Sequence, residues 1–218
     1  DLPYGMTANK WDTVIPLEPL WEQYKRVIKD NGAIVLTASQ PFTSMLVMSN
    51  LKWFKYEWIW DKKAATGHLN AKRMPLKRHE NILVFYKRPP VYNPQFTKGK
   101  PYDRGFSLRK SENWGKQVAV SGKNESGRRY PTSLIVESNA NRRNRLHPTQ
   151  KPVALLEYLI KTYTDEGDIV LDNCFGSGST LVAAVNTNRH YIGFELDKQY
   201  FEVANERIRK HRELQHDY

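Results

Sequence analysis

Acidic residues are scarce in this chain of 218 residues: 23 Asp and Glu stand against 34 Lys and Arg, a formal charge of +11 at pH 7. An isoelectric point near 9.6 argues against a cationic partner and for a polyanionic one, most simply nucleic acid. Cysteine is nearly absent. The single Cys174 excludes an internal disulfide framework and any cysteine-based metal site. The six histidines show no ligand spacing, so no metal is expected. No apolar run is long enough to span a membrane and no signal-like segment is visible, which predicts a soluble, unexported protein without a membrane partner. There is no internal repeat and no low-complexity tract. What remains, 39% hydrophobic residues and six Trp, suffices for one full domain core.

One stretch organises the rest. Ile169-Val170-Leu171-Asp172 is a short apolar run ending in a carboxylate; Asn173-Cys174-Phe175-Gly176-Ser177-Gly178-Ser179-Thr180 follows, and a helical pattern begins at Leu181. Strand, glycine turn and helix N-terminus are how an α/β protein makes a cofactor crevice. Gly176 and Gly178 lack Cβ and let a ligand approach the main chain closely. Position 181 is Leu, so the dinucleotide fingerprint fails, and no Gly-Lys-Ser/Thr is present, so the phosphate-binding loop fails too. Tyr191–Glu195 reads as the next strand. Its terminal Glu195 can accept hydrogen bonds from both hydroxyls of a ribose, because Asp197 already caps the helix predicted over Lys198–His211. Together these features describe a nucleoside-type cofactor with no requirement for phosphates. Cys174, with no histidine nearby in sequence, is expected to be a small buried thiol and not a nucleophile.

Earlier in the chain, Leu17–Lys29 is predicted as an amphipathic helix with Leu17, Leu20, Tyr24, Val27 and Ile28 on one face, ended at Asp30-Asn31-Gly32. Ala33–Thr37 reads as a buried strand and Pro41–Ser49 as a helix with proline in its first turn. Trp53–Trp60 and Asn81–Tyr86 read as strands, with the basic stretch Lys62–Arg78 as a mobile loop between them. From Val91 to Arg145 periodicity fades, and Lys and Arg are scattered among Tyr102, Phe106, Trp114 and Tyr130, a composition suited to phosphate contact and base stacking. The densest positive cluster holds Arg142, Arg143 and Arg145. Leu146–Pro152 then leads into a helix over Val153–Tyr163.

Asp1-Leu2-Pro3-Tyr4 is the second constellation. Asp1 offers an acceptor carboxylate, Pro3 fixes the backbone so that the Leu2 carbonyl can point at a ligand, and Tyr4 offers a flat ring. Two acceptors can hold both N–H bonds of an exocyclic amine and favour a more nucleophilic nitrogen. A simple turn suits the same residues. A start at Asp1 without methionine predicts a preceding segment.

Taken together the motifs resemble a family. Asp1-Leu2-Pro3-Tyr4 resembles the Asp-Pro-Pro-Tyr motif of S-adenosylmethionine-dependent DNA amino-methyltransferases. Asp172–Thr180 resembles their Asp-Pro-Phe-x-Gly-Ser-Gly-Thr motif, and His147-Pro148-Thr149-Gln150-Lys151-Pro152 matches the element placed before it. Catalytic motif first and cofactor motif last is the order of the β class. Leu2 replaces a proline, Asn173-Cys174 replace Pro-Phe-like neighbours, and Ser179 intervenes before Thr180.

The resemblance implies an α/β, Rossmann-like methyltransferase fold: a seven-stranded, mostly parallel sheet with one antiparallel strand, helices on both faces, and circularly permuted motif order. Residues 1–90 would form the catalytic half, 91–145 the target-recognition region and 146–218 the cofactor half. Asp1, Leu2, Pro3 and Tyr4 would receive a flipped adenine; the strand ending at Asp1 would come from the preceding segment. Asp172, Phe175, Gly176, Gly178, Ser179 and Thr180 would line the S-adenosyl-L-methionine pocket, with Glu195 on the ribose and Thr149 and Lys151 near the methionine end. Arg142, Arg143 and Arg145 would contact double-stranded DNA. The implied setting is the cytoplasm of a bacterium or a phage-infected host. A homodimer and a cognate restriction endonuclease are compatible with it, and neither is specified. Cytosine-N4 methylation, RNA methylation and a catalytically silent nucleic-acid-binding protein are the competing readings; an acid at position 1 instead of serine argues for adenine, and intact Asp1, Tyr4 and Glu195 argue for activity.

Overall fold

The computed structural model describes residues 1–9, 11–107, 120–139 and 146–216. The cluster Arg142, Arg143, Arg145 lies outside the described residues. The chain divides into two compact units, Asp1–Asn93 with Ser133–Tyr218, and Pro94–Thr132.

In the larger unit the elements run α1 (Leu17–Val27), β1 (Ile34–Ala38), α2 (Phe42–Ser49), β2 (Phe54–Thr66) and β3 (Lys77–Phe85). The smaller unit holds two antiparallel pairs made of β4 (Thr97–Lys98), β5 (Tyr102–Ser107), β6 (Val120–Asn124) and β7 (Arg128–Arg129), with β4 on β7 and β5 on β6. The larger unit resumes with β8 (Leu134–Val136), α3 (Val153–Tyr163), β9 (Ile169–Asp172), α4 (Ser179–Asn186), β10 (His190–Gly193) and α5 (Lys198–His216). Among the described residues no helix is long and apolar enough to cross a membrane.

The fold is α/β with a mixed sheet of order β1-β3-β2-β8, in which β3 runs antiparallel to both neighbours and β8 parallel to β2. β9 and β10 form a separate parallel pair. The seven-stranded sheet expected from the resemblance is therefore divided, because no described strand hydrogen-bonds to the free edges of β1 and β9.

β3 explains the layering. Its residues Ile82, Leu83, Val84 and Phe85 are fully buried, so apolar side chains leave both faces of the strand. Leu83 and Phe85 enter a cluster with Leu20, Trp21 and Tyr24 of α1 and Phe42 and Leu46 of α2. Ile82 and Val84 enter the opposite cluster with Trp58, Trp60 and Leu155, Leu159 and Tyr163 of α3. Helices thus cover both faces. The buried indoles all donate: Trp21 to Ser49 Oγ (2.8 Å), Trp58 to the Tyr163 hydroxyl (2.7 Å) and Trp60 to the Glu137 carbonyl (2.9 Å). Truncating a side chain as enclosed as Trp60 or Phe85 to alanine costs about 3–5 kcal/mol.

Two local expectations are corrected. α1 buries Trp21 in place of Val27, which is half exposed where the helix ends and Ile28 turns extended. The loop expected over Lys62–Arg78 is confined to residues 67–76: Lys62–Thr66 belong to β2 and Lys77–Arg78 to β3, and charge pairs hold this end of the stem, Lys62 reaching Glu80 at 2.8 Å and Arg78 gripping Asp61 at 2.7 and 2.8 Å.

Candidate active site

The glycine segment folds as a tight turn between β9 and α4. Gly176 and Gly178 both take positive φ, 51° and 76°, and the Gly178 amide closes the turn on the Phe175 carbonyl at 2.8 Å. A Cβ on Gly178 would lie 2.9 Å from that of Ala204, so its missing side chain is what lets α5 approach. Asp172 is buried at the end of β9, and its carboxylate accepts the Cys174 amide at 3.0 Å. The neighbouring Cys174 thiol is pushed up to about 11 by burial, as befits a packing residue. Ser179 is also buried, its hydroxyl taken by Arg207 at 3.1 Å.

Glu195 follows β10 and turns back to this loop. One carboxylate oxygen accepts the Gly176 amide at 2.8 Å and the other the Asp197 amide at 2.9 Å. Asp197 in turn caps α5 through the Gln199 and Tyr200 amides. Each Glu195 oxygen accepts one of these bonds and has capacity for another. Opposite, Gly193 leaves room for the Phe175 ring, which a Cβ would meet at 2.6 Å.

Residues 147–151 bridge the two halves of the site. The His147 ring sits between Trp11 (5.0 Å between centroids) and Tyr200 (4.2 Å), and burial lowers its basicity although Glu195 opposes the shift. Thr149 bonds to His147 Nδ1, at 3.1 Å from its hydroxyl, and Gln150 accepts the Ser177 hydroxyl at 3.3 Å. Lys151 is turned towards Asp1: its ammonium lies 2.8 Å from both carboxylate oxygens and 3.5 Å from Glu80.

Asp1 is therefore held on several sides. Its Oδ1 accepts Thr37 (2.6 Å), Tyr4 (3.1 Å) and Lys151, whereas Oδ2 accepts Lys151 and keeps room for a further donor. The Leu2 side chain is buried in the β1 core cluster and anchors the segment. Tyr4 stacks on Phe42 (5.3 Å, 21°), so one face of the ring expected to receive a base is already covered. Burial, reinforced by Glu80, holds the Tyr4 phenol protonated well above its usual range. After Tyr4 the chain loops around Asp12, whose carboxylate accepts the Gly5, Met6 and Thr7 amides at 2.9, 3.0 and 2.7 Å.

Most of these groups open onto one cavity of about 1130 Å³. Its walls include Asp1, Leu2, Pro3, Tyr4, Thr149, Lys151, Asp172, Phe175, Gly176, Ser179, Thr180 and Glu195, whereas Gly178 lies behind the wall. Trp11, Lys62, Lys77 and Glu80 are among the wall residues that carried no sequence motif. A charged residue continuing the inward-facing series Trp58, Trp60, Lys62 was the available signal for the last three, since an inward charge needs a partner.

The site thus sets a carboxylate, Asp1, and a glycine-loop crevice on the walls of one cavity in an α/β fold. The family profile described as DNA methylase (N6_N4_Mtase) matches residues 3–206, and the chain belongs to that family. It is 31% identical over 213 residues to the type II methyltransferase M.HpaI of Haemophilus parainfluenzae, covering 94% of this chain and 63% of the relative. It is 32% identical over 146 residues to the type II methyltransferase M.BglII of Bacillus subtilis, covering 62% of this chain and 38% of that one. The chain thus spans between about two fifths and just under two thirds of these relatives. The crystal structure of the M1.HpyAVI–SAM complex superposes with a TM-score of 0.63 at 27% identity, over 89% of this chain and 85% of that one. PvuII DNA methyltransferase, cytosine-N4-specific, shares the fold at a TM-score of 0.59 and 15% identity, over 91% of this chain and 73% of that one.

Proposed function

We propose that this protein is an S-adenosylmethionine-dependent, site-specific DNA methyltransferase acting on the exocyclic N6 amine of an adenine turned out of the duplex. The observation that carries the reading is that Asp1 and Glu195, at opposite ends of the sequence, line one cavity, with Lys151 fixing the first and the glycine turn fixing the second. The M1.HpyAVI structure with SAM bound supports the choice of cofactor, and the M.HpaI and M.BglII relatives support DNA as substrate.

The residues fit that cofactor. Glu195 retains acceptor capacity on both oxygens for a pair of ribose hydroxyls, and Gly176 brings main chain to the cavity wall without a Cβ. Phe175 supplies an apolar wall, with Thr180 at the start of α4. S-Adenosylmethionine supplies a sulfonium methyl, which an amine can take by direct displacement. The protein's part is orientation. Asp1 Oδ2 and the Leu2 carbonyl would accept the two N–H bonds of the amine. Thr37, Tyr4 and Lys151 prevent the carboxylate from rotating. Trp11, half exposed on the cavity wall, offers the ring that Tyr4 offers on only one face. The base leaves the stack at a cost of a few kcal/mol, offset by stacking and these hydrogen bonds. No step needs Cys174.

The test is a methyl-transfer assay with radiolabelled S-adenosylmethionine and duplex DNA. Label in DNA that vanishes in Asp1→Ala, with cofactor binding intact, supports the proposal; label in wild type and variant alike overturns it.

A further inference from the structure

The hairpin of β2 and β3 does more than close the sheet. Thr66 pairs with Lys77 in the last rung of its ladder, and both residues line the cavity that holds Asp1. The stem is fastened there by the Lys62–Glu80 ion pair, the contact of Lys77 with Ser39 and the Arg78–Asp61 pair. The turn beginning one residue beyond that rung is therefore next to two residues of the cavity wall. It is an ordered turn. Gly67 takes φ 90°, residues His68–Asn70 form a 3₁₀ turn, and the Arg73 and Met74 amides both return to the Asn70 carbonyl at 2.8 and 3.0 Å.

What this turn displays is apolar surface set among cations. Leu69 is 102% exposed and Met74 is 58% exposed, apolar side chains standing on a tip with no acidic residue between Lys62 and Arg78. Lys63, Lys72 and Arg73 are exposed beside them. Apolar points among cations match a partner that is anionic outside and apolar within, which describes stacked bases between two phosphate backbones. We propose that the turn 67–76 is a wedge for duplex DNA: Leu69 enters the base stack where the target nucleotide has left it, and Lys63, Lys72 and Arg73 take flanking phosphates. This rests on the reading that an adenine leaves the duplex for Asp1 and Tyr4.

The experiment uses the full chain, its Leu69→Ser variant, and a short duplex carrying the site found by sequencing modified bases in DNA from an expressing host. The target adenine is placed opposite thymine in one duplex and opposite an abasic position in the other; 2-aminopurine at the target reports unstacking independently of methylation. Leu69→Ser is expected to lose on the order of tenfold to a hundredfold in kcat/KM, and the fluorescence rise, on the paired duplex only. The abasic duplex, in which little remains to be displaced, restores both, and cofactor affinity is unchanged. Equal losses on both duplexes, no loss on either, or a Leu69-dependent dimer in sedimentation would overturn the wedge, the last pointing to a second copy as occupant. A wild-type chain that neither methylates nor brightens the probe defeats the functional reading and the wedge together; a wild-type chain that does both beside an unchanged variant defeats the wedge alone.

Discussion

Lys151 Nζ stands 2.8 Å from each carboxylate oxygen of Asp1, across 150 positions of sequence. The contact ties the start of the cofactor half to the group that would hold the reacting amine. Lys151→Gln is therefore expected to lower turnover by on the order of 100-fold through misplacement of Asp1, with cofactor affinity changed far less. Asp1→Ala should nearly abolish turnover at unchanged cofactor affinity. Single-turnover rates beside calorimetric titration read both; parallel losses of rate and affinity in Lys151→Gln would return that lysine to the cofactor's methionine end.

Glu195 anchors the other side of the cavity. Replacing it with alanine removes the proposed acceptor for two ribose hydroxyls and frees the Gly176 amide. S-Adenosylmethionine should bind about 1.5–3 kcal/mol more weakly, the range for hydrogen bonds to a charged group. An unchanged dissociation constant would locate the ribose elsewhere.

Glu80 connects charge to stability. Burial raises its carboxyl, but Lys151 and Lys62 together outweigh burial and hold it below the usual value of about 4.5. For Lys151 the balance is the reverse: burial lowers it more than Glu80 raises it. The folded protein therefore binds the Glu80 proton less tightly than the unfolded chain does. The resulting stability is fully present above about pH 4.5 and is lost as pH falls through the lower folded value. Glu80→Gln leaves two buried lysines short of a counter-charge and should cost about 3 kcal/mol at neutral pH. In urea titrations the gap between wild type and variant should narrow below about pH 4. A gap that persists undiminished to pH 3 would contradict the ion-pair origin.

Arg142, Arg143 and Arg145 are expected to contact phosphates, since three clustered guanidiniums cannot all reach base edges. Single alanine variants should lose similar affinity for cognate and scrambled duplexes, each with a salt slope shallower by about 1. An arginine whose loss is confined to the cognate duplex, by about 1–3 kcal/mol, reads a base instead.

Local chemistry was legible in the sequence. The glycine turn after β9, the Asp197 cap and α3 follow from residues a few positions apart, where backbone freedom and side-chain reach decide the outcome. Long-range pairing was not. The ends of β2 and β3 nearest their turn read as part of a basic loop because Lys62 and Arg78 look like solvent-facing charges until the strands meet and pair them with Glu80 and Asp61. Likewise nothing near Asp1 announces Thr37, whose hydroxyl arrives from β1, or Trp11, which His147 meets from the far end of the chain. The short strands within Pro94–Thr132 carry too few alternating apolar residues to show a period.

Base analysis of methylated DNA is the most direct measurement. DNA incubated with the full chain and S-adenosylmethionine is digested to nucleosides and resolved by mass spectrometry, with Asp1→Ala run alongside. An acid in place of serine at position 1 predicts N6-methyldeoxyadenosine from the wild type and none from the variant. N4-methyldeoxycytidine as the product, or unmodified DNA beside a cofactor-loaded enzyme, would contradict it.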